Sequence, residues 1–206
     1  MYKNTYGNDN MFVKLFHSQK ALQAATFAWD EDTGTQTGSP TKGTTRTGGV
    51  TDVNWKNSGT QGTAYTAAPI TAGNNSFEKW QFGHFSGSYN QILNGLFAHT
   101  AGTCGTGVTL FGPPACTGDG DRPLYTTPST TTNNTACPTN ITSAIAIGSG
   151  VAVFFGAAGP EATGKASSAT ANPAYTNYLP TQLRTSGSAS AGDITSLTVT
   201  LQVDEN

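Results

Sequence analysis

Residues 194–203 read as a strand with one dry face. Leu197, Val199, Leu201 and Val203 alternate with Thr198, Thr200 and Gln202. Successive side chains of a strand point to opposite faces, so this pattern buries one row and wets the other. Such a strand needs neighbours in a sheet and a second apolar layer to cover it. The rest of the chain offers candidates. Residues 11–16 and 22–29 are short apolar and aromatic runs, and 50–55 alternates Val50, Asp52 and Asn54 against Thr51, Val53 and Trp55. Residues 64–70 are a weaker candidate. Residues 76–85 place Trp80, Phe82 and His84 on one face and Phe77 and Phe85 on the other. Residues 108–111 form a short strand, and 144–155 read as a hairpin around Gly148, Ser149 and Gly150.

One segment departs from this period. After Ser86, Gly87 and Ser88, the residues Tyr89, Ile92, Leu93, Leu96 and Phe97 fall at i, i+3, i+4, i+7 and i+8. That spacing predicts an amphipathic helix of about three turns, with a serine cap before it and Gly102 beyond its end. The expected fold class is therefore all-β: a single β-sandwich or barrel over residues 1–206, with one flanking α-helix and long polar loops. Three such loops are expected, at 30–49, 103–142 and 156–190. The second is a Gly/Pro/Cys-rich insertion, and all three lack the apolar area that offsets the entropy of ordering.

The composition narrows function. Glycine, 35 Thr, 15 Ser and 15 Asn make up nearly half of the 206 residues, while charged residues are 11% and the net charge is −2. Helical bundles and basic nucleic-acid binders do not have this make-up. No stretch approaches 18 apolar residues, so no membrane-spanning helix is expected. The segment Met1-Tyr2-Lys3-Asn4 lacks the apolar core of an export signal.

Single motifs are weak. Gly159-Pro160-Glu161-Ala162-Thr163-Gly164-Lys165 matches a phosphate-binding loop, but Ala166 stands where a magnesium-binding hydroxyl belongs. Asp30-Glu31-Asp32 and Asp119-Gly120-Asp121 read as solvated turns rather than cation sites. His17, His84 and His99 come without a nucleophile elbow or an acid/base carboxylate pair, so no catalytic residue, cofactor or metal ligand is expected. Trp29, Trp55 and Trp80 are read as core before sugar platform. Sequons stand at Asn74, Asn133 and Asn140. Of Cys104, Cys116 and Cys137, the first two are a candidate structural disulfide worth ~3 kcal/mol in the chain-entropy model. Three reduced thiols are the alternative.

The order of features resembles the major tail tube proteins of long-tailed bacteriophages. The matching pieces are Ala72-Gly73-Asn74-Asn75-Ser76-Phe77 with Tyr89-Asn90-Gln91-Ile92-Leu93, and Ala191-Gly192-Asp193-Ile194-Thr195-Ser196-Leu197-Thr198-Val199. Residues 103–142 have no counterpart in that layout. The resemblance implies a non-enzymatic virion structural protein that assembles with itself into hexameric rings. The rings would stack around a DNA-conducting channel, meet other virion proteins, and bind neither nucleic acid specifically nor membrane. Residues 30–49, by position, would contact the adjacent ring. The competing expectations are a capsid decoration protein, a secreted pilus or surface-fibre subunit, and a carbohydrate-binding sandwich.

Overall fold

The computed structural model describes residues 11–17, 25–60, 63–128, 133, 135–146, 148–190 and 197–206, with 11–17, 52 and 65 described by backbone alone. The expected strand at 22–29 and the Gly/Ser-rich lead into the last strand therefore lie partly outside the described residues. Among these residues the chain is all-β, and the only helical pieces are single 3-10 turns at Tyr65–Ala67 and Asp119–Asp121.

Two sheets form. In the first, β6 (Ile92–Ala101) pairs along one edge with β14 (Thr198–Glu205), which is followed by β1 (Met11–His17) and β4 (Asp52–Val53). Its other edge carries β11 (Ser168–Ala169) and β9 (Val151–Val153). In the second, β5 (Lys79–Gly87) pairs on one edge with β2 (Ala25–Thr37), itself paired with β3 (Lys42–Thr47). On its other edge stand β12 (Ala174–Thr176) and β13 (Leu179–Thr185). β10 (Phe155–Gly156) extends β12, while β7 (Val108–Gly112) and β8 (Thr139–Asn140) extend β13.

The sheets pack face to face as a sandwich. Trp29, Phe85, Leu110, Leu179 and Leu183 of the second sheet meet Ile92, Phe97, Val153, Val199, Leu201 and Val203 of the first in one buried cluster. The approach is close at Gly83, where an added Cβ would lie 2.9 Å from the Phe27 ring and 3.0 Å from Leu201. The second sheet is also covered on its outer face. Trp80, Phe82, Tyr125 and Tyr178 form a separate, fully buried aromatic cluster, with edge-on contacts of Trp80 to Tyr125 and Tyr178. Burying each ring is worth about 2–3 kcal/mol. Tyr125 comes from the segment expected as an insertion, so part of 103–142 is the third layer of the fold. Another part of it, β7, is a strand of the second sheet.

The expected flanking helix is not there: its residues are β6. The helical spacing is produced by a β-bulge. Gln202 faces Leu96 and Asp204 faces Leu93, so β6 carries one residue more than β14 at Asn94, which has φ +54°. The extra residue shifts the phase of the strand. Ile92, Gly95, Phe97 and His99 then face inward while Leu93 and Leu96 stay half-buried on the other face, and apolar residues on both faces of a bulged strand fall at helical spacing. Gly95 is required there, because an added Cβ would lie 2.5 Å from the Phe155 ring.

The expected loop at 30–49 is a β-hairpin made of the second half of β2 and all of β3. Thr33, Thr35 and Thr37 alternate along one strand, and threonine suits strands because of its branched Cβ. The stretch 156–190 likewise contains β13, whose buried Thr181 and Gln182 are paired with the Trp55 indole (3.2 Å) and the Ser76 carbonyl (3.2 Å). Polar residues and Pro180 hide this strand from a hydrophobicity pattern. The expected hairpin at 144–155 does not form. β9 pairs with β6 instead, and Ile147 lies outside the described residues.

Candidate assembly surface

β2 is long for its partner. It pairs with β5 from Ala25 opposite Gly87 to Asp32 opposite Trp80. Beyond that, Thr33 to Thr37 pair only with β3. Five residues at about 3.4 Å each make a two-stranded ribbon that overruns the sheet by roughly 17 Å. Residues 34–40 are exposed, and so are Lys42, Thr44, Thr45 and Arg46. Among the described residues no strand pairs with the outer edge of β3. Its N–H and C=O groups are a template for another chain.

A two-stranded ribbon alone is marginal in water. This one is braced at its base. Asp32, with a fully buried carboxylate, accepts Arg46 Nε at 2.8 Å and Nη2 at 3.3 Å, and also the hydroxyl of Tyr178. Arg46 Nη2 reaches Glu161 at 2.9 Å, and its guanidinium lies 4.9 Å over the Phe82 ring. Burial works against the Arg46 charge, but the hydrogen bond and negative charge of Asp32, with that of Glu161, outweigh it and push its pKa up. The Tyr178 hydroxyl is held protonated by burial first, and then by its bond to Asp32. Further out, Tyr125 donates to Gly34 O (2.9 Å), and Gln36 N donates to Thr127 Oγ1 (3.1 Å). At the other end Gly49 N donates to Asp30 Oδ1 (3.1 Å).

The residues around Glu161 are held in turn. Arg122 donates to Asp119 Oδ1 (2.6 Å) and to the carbonyls of Pro160 (3.1 Å) and Glu161 (3.3 Å). Asp119 accepts the backbone N–H groups of Gly164 (2.8 Å) and Lys165 (3.1 Å). Burial opposes the Asp119 charge, yet these donors hold its carboxyl below the usual range. Lys165 is buried, and its ammonium donates to Gly159 O (2.7 Å) and Tyr175 O (3.2 Å). Burial, with nearby Arg122, lowers its pKa to about 8. The phosphate-loop look-alike is thus a closed brace. Its N–H groups meet a carboxylate and its lysine meets carbonyls.

The remaining sequence candidates scatter. Glu31 turns inward to Lys79 at 3.5 Å, away from Asp30 and Asp32. Asp121 binds Thr117. Among the described residues no group of three or more His, Cys, Asp and Glu side chains is placed to hold a metal ion. His84 stacks on Tyr175 with centroids 4.6 Å apart and lies 3.7 Å from Asp30. His99 is buried between the carbonyls of Ile141 (2.9 Å) and Ala101 (2.7 Å). The side chain of His17 is outside the described residues. Trp29 and Trp80 are core, and Trp55 is half-buried. Asn140 Oδ1 accepts the N–H of Thr142 within its own sequon.

The candidate disulfide between Cys104 and Cys116 is not formed, and all three cysteines are free thiols. Cys104 packs against the main core, while the Cys116 thiol sits 3.3 Å from Asp121 O and 3.6 Å from Pro114 O. Burial raises the pKa of both.

Sequence reasoning missed the set Asp32, Arg46, Glu161 and Tyr178, whose members come from four separate stretches of chain. The available signal was Asp32 itself, two strand positions beyond Asp30 and three beyond Trp29. In a strand that places both aspartates on the face opposite the tryptophan. Comparison of the chain with protein-family models, curated proteins and solved structures gives no match. No described helix is long and apolar enough to cross a membrane.

Proposed function

We propose that the protein is a non-enzymatic, self-assembling structural subunit of a virion, of the tail-tube kind: rings stacked around a channel through which DNA passes. The observation that carries this reading is the braced β2–β3 ribbon. A braced, polar ribbon whose outer edge no described strand pairs is suited to reach a neighbouring copy, and it occupies the segment that the tail-tube layout assigns to contact between rings. Its exposed residues are mainly Gly, Thr, Ser and Gln, so a contact there desolvates few charges. The net charge of −2 suits a channel that conducts DNA without holding it.

Shortening the ribbon by removing residues 36–42 tests the reading. The native chain should sediment as large multimers at high concentration, and the shortened chain as single rings or monomers with near-native circular dichroism. Identical sedimentation of the two would exclude the ribbon as the contact.

A further inference from the structure

β1 is attached to the fold in an unusual way. It pairs with β14 in parallel register, from Phe12 opposite Thr198 to His17 opposite Val203. Every other described strand pair is antiparallel. Its second neighbour, β4, meets it only at Met11 opposite Val53 and Phe12 opposite Asp52. The next strand, β2, belongs to the other sheet, so no hairpin ties β1 to its seat. The seat itself is built by the rest of the chain: Val199, Leu201 and Val203 of β14 are fully buried in the main core.

We propose that β1 is exchanged between copies, with residues 11–17 of one chain filling the place between β14 and β4 of a second copy. The proposal rests on the reading of the protein as a self-assembling subunit and names the segment that joins the copies. Three arguments support it. The ladder is the same whether β1 comes from its own chain or from another, so exchange changes no hydrogen bond within it. Phe12 and Thr198 are 186 residues apart (198 − 12), so this pairing closes late in folding. Until then β14 offers an open edge to any chain nearby. Seven residues, 18–24, separate β1 from β2. Eight Cα steps span at most about 28 Å, which bounds how far β1 can sit from β2. A short tether gives an effective concentration on the order of millimolar. Dilute chains therefore close on themselves, and packed copies exchange.

Lys14 and Thr200 are partners in the ladder, as are Phe16 and Gln202. A chain carrying Lys14→Cys is mixed with one carrying Thr200→Cys, assembled at high concentration, and oxidised. The native chain, with thiols at Cys104, Cys116 and Cys137, is the blank. Exchange predicts a covalent dimer joining the two variants at least ten-fold above the blank. The Phe16→Cys and Gln202→Cys mixture serves as a second pair if the first variant misfolds. If neither mixture links while the corresponding double variants link within single chains, β1 stays with its own chain and the proposal falls. It falls equally if the double variants fail to link, because the ladder is then wrong. Micrographs of the same samples separate the two readings. Rings without linked dimers keep the tube and remove exchange; linked dimers without rings do the reverse.

Discussion

At the residue scale, scarcity of charge conceals how charge is used. The chain has ten Lys and Arg and twelve Asp and Glu. Asp30, Glu31, Asp32, Lys56, Glu78, Lys79, Arg122, Lys165 and Glu205 are all buried. A chain with 35 Thr, 15 Ser and 15 Asn points to hydroxyls and amides at the surface. Composition could not show that the few charges would sit inside as braces, because burial of a charge depends on partners distant in sequence. Removing one member of such a set takes a partner from each of the others. Asp32→Ala should lower unfolding free energy by about 1–3 kcal/mol, since it strands the buried Tyr178 hydroxyl and leaves Arg46 only Glu161 as an ionic partner. Urea denaturation measures this, and a loss below about 0.5 kcal/mol would mean that the set carries no stability.

Lys165 gives a pH signature. Its folded pKa is about 8, below the ordinary lysine value of 10.5. Between those values the unfolded chain holds more protons than the folded one, so stability contributed by this group rises with pH. Native protein should therefore gain on Lys165→Met from pH 8 to pH 10, by on the order of 2 kcal/mol. Comparing the two chains cancels the opposite trend from Tyr125 and Tyr178. Both have raised pKa values, and their contribution is lost above pH 10 as the unfolded tyrosines ionise. A flat difference between the two chains across the window would refute the assignment to Lys165.

At the element scale, alternation was legible where it was unbroken. β14 and β5 could be read directly, because Leu197 to Val203 and Trp80 to Phe85 keep a strict period of two. β6 could not. One extra residue at Asn94, with Leu93 and Leu96 apolar on the face away from the core, turns a strand into a helical spacing, and a bulge leaves no composition signal beyond an Asn-Gly pair. The β2–β3 ribbon was hidden for another reason. Its stability comes from Asp32, Tyr125 and Glu161 at its base rather than from apolar residues in its own strands. Gly43 tests the ribbon without touching that base. An added Cβ there would lie 2.5 Å from Thr33 O. Gly43→Val should disrupt the ribbon, costing about 1–3 kcal/mol, and should abolish stacking of copies. A variant that unfolds as the native chain does would show that the ribbon relaxes around the side chain.

At the scale of the molecule, the all-β sandwich was visible from the alternating strands and their turns. The third layer was not. Trp80 and Phe82 sit on a face that the sequence pattern treats as one of two equal sides, and only Tyr125 and Tyr178 reveal that it is covered. Two features of the sandwich and its outer layer point beyond a single copy: the outer edge of β3, which no described strand pairs, and the parallel seat of β1 beside β14. Under the proposed assembly, the β3 edge would join copies between rings and β1 would join them through exchange. Negative-stain electron microscopy of the purified native protein at high concentration tests this most directly. The account predicts stacked rings with a central channel. Particles that remain monomeric at every concentration would contradict it.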